Sequence, residues 1–111
     1  MSAVLDQMCL SKIGQAPQTV IPWFLSASYL YYIRDVSLLS DVLYDKLAKA
    51  IKGSWPLISH PHKYLITESD LEAGSLYSLR AEDYPTMVKA SSCQLAQKHL
   101  GLDVPFKYGV H

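Results

Sequence analysis

The chain has no excess charge of either sign: ten Lys and Arg balance ten Asp and Glu, and the isoelectric point is 6.9. Nothing in that balance drives it towards DNA, RNA or an anionic membrane, so a nucleic-acid reading would need a motif, and direct nucleic-acid binding is not expected. Charged residues make up only 18% and hydrophobic ones 50%, which excludes a disordered tail and a charge-rich fibre. Long apolar runs are missing too. The longest, Val20 to Ile33, is interrupted by Pro22, Ser26 and Ser28 and falls short of the about 20 residues needed to span a bilayer. No membrane partner is expected. The start, MSAVLDQM, lacks a basic stretch and carries Asp6, which argues against a secretory signal. Cysteine is scarce: Cys9 and Cys93 stand far apart and give no disulfide framework, so both are expected to be reduced and buried in a soluble, cytoplasmic protein. There is no internal repeat, no zinc-finger cysteine set, no helix-hairpin-helix glycine motif and no glycine-rich phosphate loop.

What is present fits one domain over residues 1–111, long enough to bury one core. The expected fold is mainly α: a helical hairpin plus a C-terminal helix, with a small β-hairpin as an additional element. Residues 2–13 read as a short helix with Val4, Leu5, Met8 and Cys9 on one stripe and Gly14 ending it. After a turn at 14–18, a helix opens near Thr19 with Pro22 in its first turn. It carries Phe24, Ala27, Leu30 and Tyr31 on one side and runs to about Asp35. A short connection, VSLLS, leads to Ser40, a good N-cap for a helix over 41–52 whose core stripe is Leu43, Leu47, Ala50 and Ile51. The two helices form an antiparallel hairpin over 15–53, and 54–111 is an unassigned extension. Within the extension, 63–67 and 75–79 alternate enough for short strands, Thr67 to Asp70 is an alternative helix start, and 84–100 is a helix with Val88, Ser92, Leu95 and His99 on one stripe and Gly101 as C-cap. Trp23, Phe24 and Trp55 are expected in the core.

The chemistry concentrates in YLYYIRDVSLLSDVLYDKL, residues 29–47. Helical spacing places Asp41, Tyr44, Asp45 and Ala48 on one face, opposite Leu43 and Leu47. Carboxylates four residues apart repel by a few tenths of a kcal/mol, an arrangement that a helix built only for stability would rarely choose. Carboxylates accept hydrogen bonds from sugar diols and amides, and tyrosine faces attract cationic or electron-poor rings. Taken alone, the cluster is better explained by a solvated face with tyrosines closing the hairpin.

The segment resembles the N-terminal helical-hairpin (Ia) domain of bacterial NAD-dependent DNA ligases. The shared pattern is Tyr31-Tyr32, Asp35, then Ser40-Asp41-x-x-Tyr44-Asp45-x-Leu47. The resemblance covers about residues 28–48. It implies a nicotinamide-nucleotide (NMN or NAD) binding module, with Tyr31, Tyr32, Asp41, Tyr44 and Asp45 at the positions that hold the nicotinamide mononucleotide half in that family. Tyr32 stands where many members carry His, and the prolines usual in the turn are missing from VSLLS. There is no Lys-x-Asp-Gly adenylation motif, so the chain is not a DNA ligase by itself. The resemblance points to a free-standing ligase-related protein of the kind found in phages, working in a host cytoplasm. An alternative is a regulatory or interaction protein that keeps the hairpin as a scaffold for a protein partner or a homo-oligomer. An NAD-cleaving enzyme using Asp41 and Asp45 ranks third.

Three further features are weaker. His60-Pro-His62 has metal-like spacing, although a solvated loop explains it better. Cys93 and His99 sit six apart on a helix, a poor nucleophile–base pair. Arg34, near the hairpin turn, is the candidate for a ligand phosphate, whereas Lys46, Lys49 and Lys52 read as a solvated face.

Overall fold

The computed structural model describes residues 3–58, 60, 63–67, 70–71 and 79–101. Among them the fold is mainly α, with four α-helices and no strand: α1 (Ala3–Gln15), α2 (Val20–Tyr32), α3 (Asp41–Gly53) and α4 (Thr86–Leu100).

Helix α2 is the axle. Val20, Ile21 and every residue from Phe24 to Leu30 are buried, so its apolar surface runs round the whole helix rather than along one side. A helix hydrophobic all round must be covered on all sides. Helix α1 contributes Leu5 and Cys9 to the core, α3 contributes Leu43, Leu47, Ala48 and Ile51, and α4 contributes Val88, Cys93 and Ala96. The pairing of α2 with α3 is antiparallel. Pro17 and Gln18, just before α2, share a groove with Ser54, Leu57 and Ile58, just after α3. At the other end, Ser28 on α2 bonds Tyr44 on α3.

Local chemistry sets the boundaries. Helix α2 stops at Tyr32, short of Asp35, because Asp35 adopts a left-handed conformation (φ 57°) that breaks the helix. The chain is then tied back, with the N–H groups of Arg34 and Val36 both donating to the Leu30 carbonyl, at 3.2 and 2.7 Å. The Ser40 hydroxyl caps α3 by accepting from Leu43 N–H at 3.2 Å. Gly101 ends α4 at φ 66°, a conformation in which a side chain would be strained.

Several expectations need correction. Gly14 does not end α1, which continues to Gln15, and Val4 is exposed rather than on the packed stripe. On α3, Ala48 is buried and Ala50 exposed, because the packed face is turned towards Tyr44, whose ring stacks on Phe24 at 4.7 Å. Residues expected as the first strand instead form a 3-10 turn over Lys63–Leu65. Its cause is Lys63, whose ammonium donates to the carbonyls of Trp55 (2.5 Å) and Ile58 (3.0 Å) and lies 4.4 Å from the Trp55 ring centroid. The second expected strand, 75–79, lies outside the described residues except for Leu79. Thr67 and Asp70 form a reciprocal cap, each side chain accepting from the other's backbone N–H, and residues 70 and 71 are helical. Of the three large aromatics expected inside, Phe24 is fully buried, while Trp23 and Trp55 are half-buried against the core.

Candidate functional site

Helix α2 ends, and α3 begins, on the same side of the molecule. That geometry brings the last turn of one helix against the first turn of the other. Between them lies a cavity of about 230 Å³ lined by Ala27, Tyr31, Tyr32, Ser37, Leu38, Leu39, Asp41, Tyr44 and Asp45. All five residues singled out in the sequence for ligand contact therefore line one cavity.

Their states differ. Tyr31 and Tyr32 are exposed, at 50% and 38%, as are Ser37, Asp41 and Asp45. Their rings meet edge to face, 4.9 Å apart and 85° to each other. A flat ligand ring can therefore lie face-on against only one of them, while the other meets its edge. Tyr44 is half-buried, with its ring stacked on Phe24 and its hydroxyl 2.6 Å from Ser28 Oγ. It is a fixed wall rather than a mobile contact. Asp41 is the first residue of α3, where the helix dipole favours an anion. Asp45, one turn on, lies 3.0 Å from Lys49 Nζ in an exposed pair that contributes little to stability.

The sequence reading missed the apolar part of this lining. Leu38 and Leu39 were read only as a connection between helices, yet both are buried and, with Ala27, form the lipophilic side of the cavity. Two adjacent leucines in so short a connection, VSLLS, were the available signal.

Arg34, the candidate for a ligand phosphate, is not among the residues that line the cavity. Its guanidinium reaches the Tyr29 hydroxyl (3.4 Å) and the Cys93 sulfur (3.5 Å) on α4. Both cysteines are free and buried. Burial raises the Cys93 thiol pKa, and the nearby guanidinium and a hydrogen bond with Ser92 only partly oppose it. Cys9 is pushed up to about 12, by burial first and by the Asp6 carboxylate second. Neither thiol is an activated nucleophile. His62 lies outside the described residues, and among those described no group of three or more His, Cys, Asp or Glu could hold a metal ion. No helix of the described residues is long and apolar enough to cross a membrane.

No family model, curated protein or solved structure matches this chain.

Proposed function

We propose that the chain is a nicotinamide-nucleotide binding module, with the cavity between α2 and α3 as its site. The reading is supported above all by the convergence of Tyr31, Tyr32, Asp41, Tyr44 and Asp45, picked from the ligase-like sequence pattern, on one cavity. The chemistry suits a ribosyl pyridinium: tyrosine faces for the cationic ring, carboxylates for the ribose diol and the carboxamide. The size suits one half of NAD. Sites that enclose drug-sized ligands span roughly 300–1,000 Å³. A cavity of about 230 Å³ takes the nicotinamide end and leaves any adenylate outside. Affinity is expected to be modest, because one chain supplies one wall.

The test is an NMR amide-shift titration of the full chain with nicotinamide mononucleotide, with AMP as control. Shifts should centre on residues 31–45 and be absent with AMP. Asp45 is exposed, so Asp45→Asn should fold normally and weaken binding by about tenfold, the scale of one charge-assisted hydrogen bond. Unchanged affinity in that variant, or no shifts at millimolar ligand, would sink the proposal.

A further inference from the structure

The charge of the lining carries the ligand class one step further. Among the described residues, the cavity is lined by two carboxylates, three tyrosines and no Lys, Arg or His. Arg34 is the cation nearest in sequence to the tyrosine wall. Its guanidinium lies beside Tyr29 and Cys93, the first wholly buried and the second nearly so, and it is not among the lining residues. Lys49 pairs with Asp45 at 3.0 Å and is not part of the lining. A positively charged ring placed here meets attraction from every polar wall. A phosphate carried on the same ligand meets two like charges and no lining cation.

Resting on the nicotinamide reading above, we propose that the cavity selects the oxidised, N-ribosylated pyridinium as a nucleoside, in preference to its 5′-phosphate. Two discriminations follow. The reduced dihydropyridine is neutral and loses the attraction to the carboxylates and to the tyrosine faces. The nucleotide keeps the cation but adds a dianion that the lining repels. The unphosphorylated nucleoside satisfies both conditions. Screening should erode the preference, because the cavity opens to solvent between partly exposed groups.

The experiment titrates the full chain, by NMR or calorimetry at low salt, with nicotinamide riboside, nicotinamide mononucleotide and dihydronicotinamide riboside. The expected order places the oxidised nucleoside about tenfold tighter than the nucleotide, with the reduced nucleoside weakest. The gap between nucleoside and nucleotide should narrow at high salt and in Asp41→Asn. Lys49→Gln separates the explanations. It should leave the order unchanged and tighten the oxidised nucleoside, since Asp45 loses its counter-ion. A selective loss of nucleotide binding in Lys49→Gln would make Lys49 a phosphate partner and overturn the inference. Equal or tighter binding of the nucleotide would overturn it too, while leaving the nicotinamide site standing. Failure of all three ligands to bind would remove both proposals together.

Discussion

Two tyrosine hydroxyls meet opposite fates in this fold. Tyr44 shares a hydrogen bond of 2.6 Å with Ser28, which is itself wholly buried. Tyr84 is 2% exposed, packs edge-on to Tyr29, and its hydroxyl is buried with no hydrogen-bond partner among the described residues. An unsatisfied buried hydroxyl costs about 1–3 kcal/mol, whereas a satisfied one contributes about 1. Tyr44→Phe should therefore destabilise by about 1–2 kcal/mol, since it also orphans the Ser28 hydroxyl. Tyr84→Phe should be neutral or stabilising by up to about 1 kcal/mol. Urea denaturation of both variants checks the contrast, and a large loss in Tyr84→Phe would show that its hydroxyl is bonded. Buried acids also fix the pH response. The thiol of Cys9 rises from 9.0 to about 12 on folding, and burial raises Cys93 and Tyr84 as well. A raised folded pKa keeps its stabilisation below the unfolded value and loses it as pH climbs through the folded one. Stability should thus fall as pH rises from about 9 towards 12. Cys9→Ala should flatten that slope, read from urea midpoints at several pH values.

At the scale of elements, the start of α3 is held from two directions. Ser40 caps the helix through its own hydroxyl, and the Ser40 N–H donates to the Asp6 carboxylate on α1 at 3.0 Å. Ser40→Ala should cost about 1 kcal/mol. Asp6→Ala should cost a similar amount, and the double variant should fall short of the sum by about 0.5 kcal/mol or more, because both side chains order the same turn. A double-mutant cycle by denaturation measures this. The cap, the left-handed glycine at 101, the start of α3 and the end of α4 were legible in the sequence, since each rests on local rules of backbone satisfaction, whereas α4 begins at Thr86, two residues after the expected start at 84, with Pro85 extended before it. The rotation of α3 was not legible. Leu43, Leu47 and Ile51 fix the stripe only to within a residue on either side, and what selects Ala48 over Ala50 is the stacking of Phe24 on Tyr44, a contact between helices. The turn at Lys63 escaped for a similar reason. Alternation at 63–67 looks like a strand until the ammonium finds carbonyls of a preceding turn. The cavity lining was legible in its tyrosines and aspartates, which sit on the two helices, and not in Ser37 of the connection. It was not legible in Leu38 and Leu39, whose burial depends on where the connection folds.

The whole molecule is organised around one enclosed helix. Nine residues of α2 are buried, facing α3 on one side and α4 on another. Total stability for a domain of this size is about 5–15 kcal/mol. Leu30→Ala, at a wholly buried position, should remove about 2–5 kcal/mol of it, whereas Leu57→Ala, at a position 87% exposed, should change it by less than about 0.5. Thermal denaturation distinguishes the two at once. The same enclosure governs communication across the fold. The cavity touches Ala27, Tyr31 and Tyr32, and the cluster with Cys93 touches Tyr29 and Arg34, so both use the C-terminal stretch of α2 and the turn that follows it.

That stretch ends with two amides returned to the Leu30 carbonyl. The tyrosine wall at Tyr31 and Tyr32 is therefore anchored to the most enclosed helix among the described residues and not to a swinging loop. A ligand arriving there meets rings whose backbone freedom was already surrendered when the chain folded. It has only their χ angles left to settle, and the entropy of association falls mainly on the ligand itself.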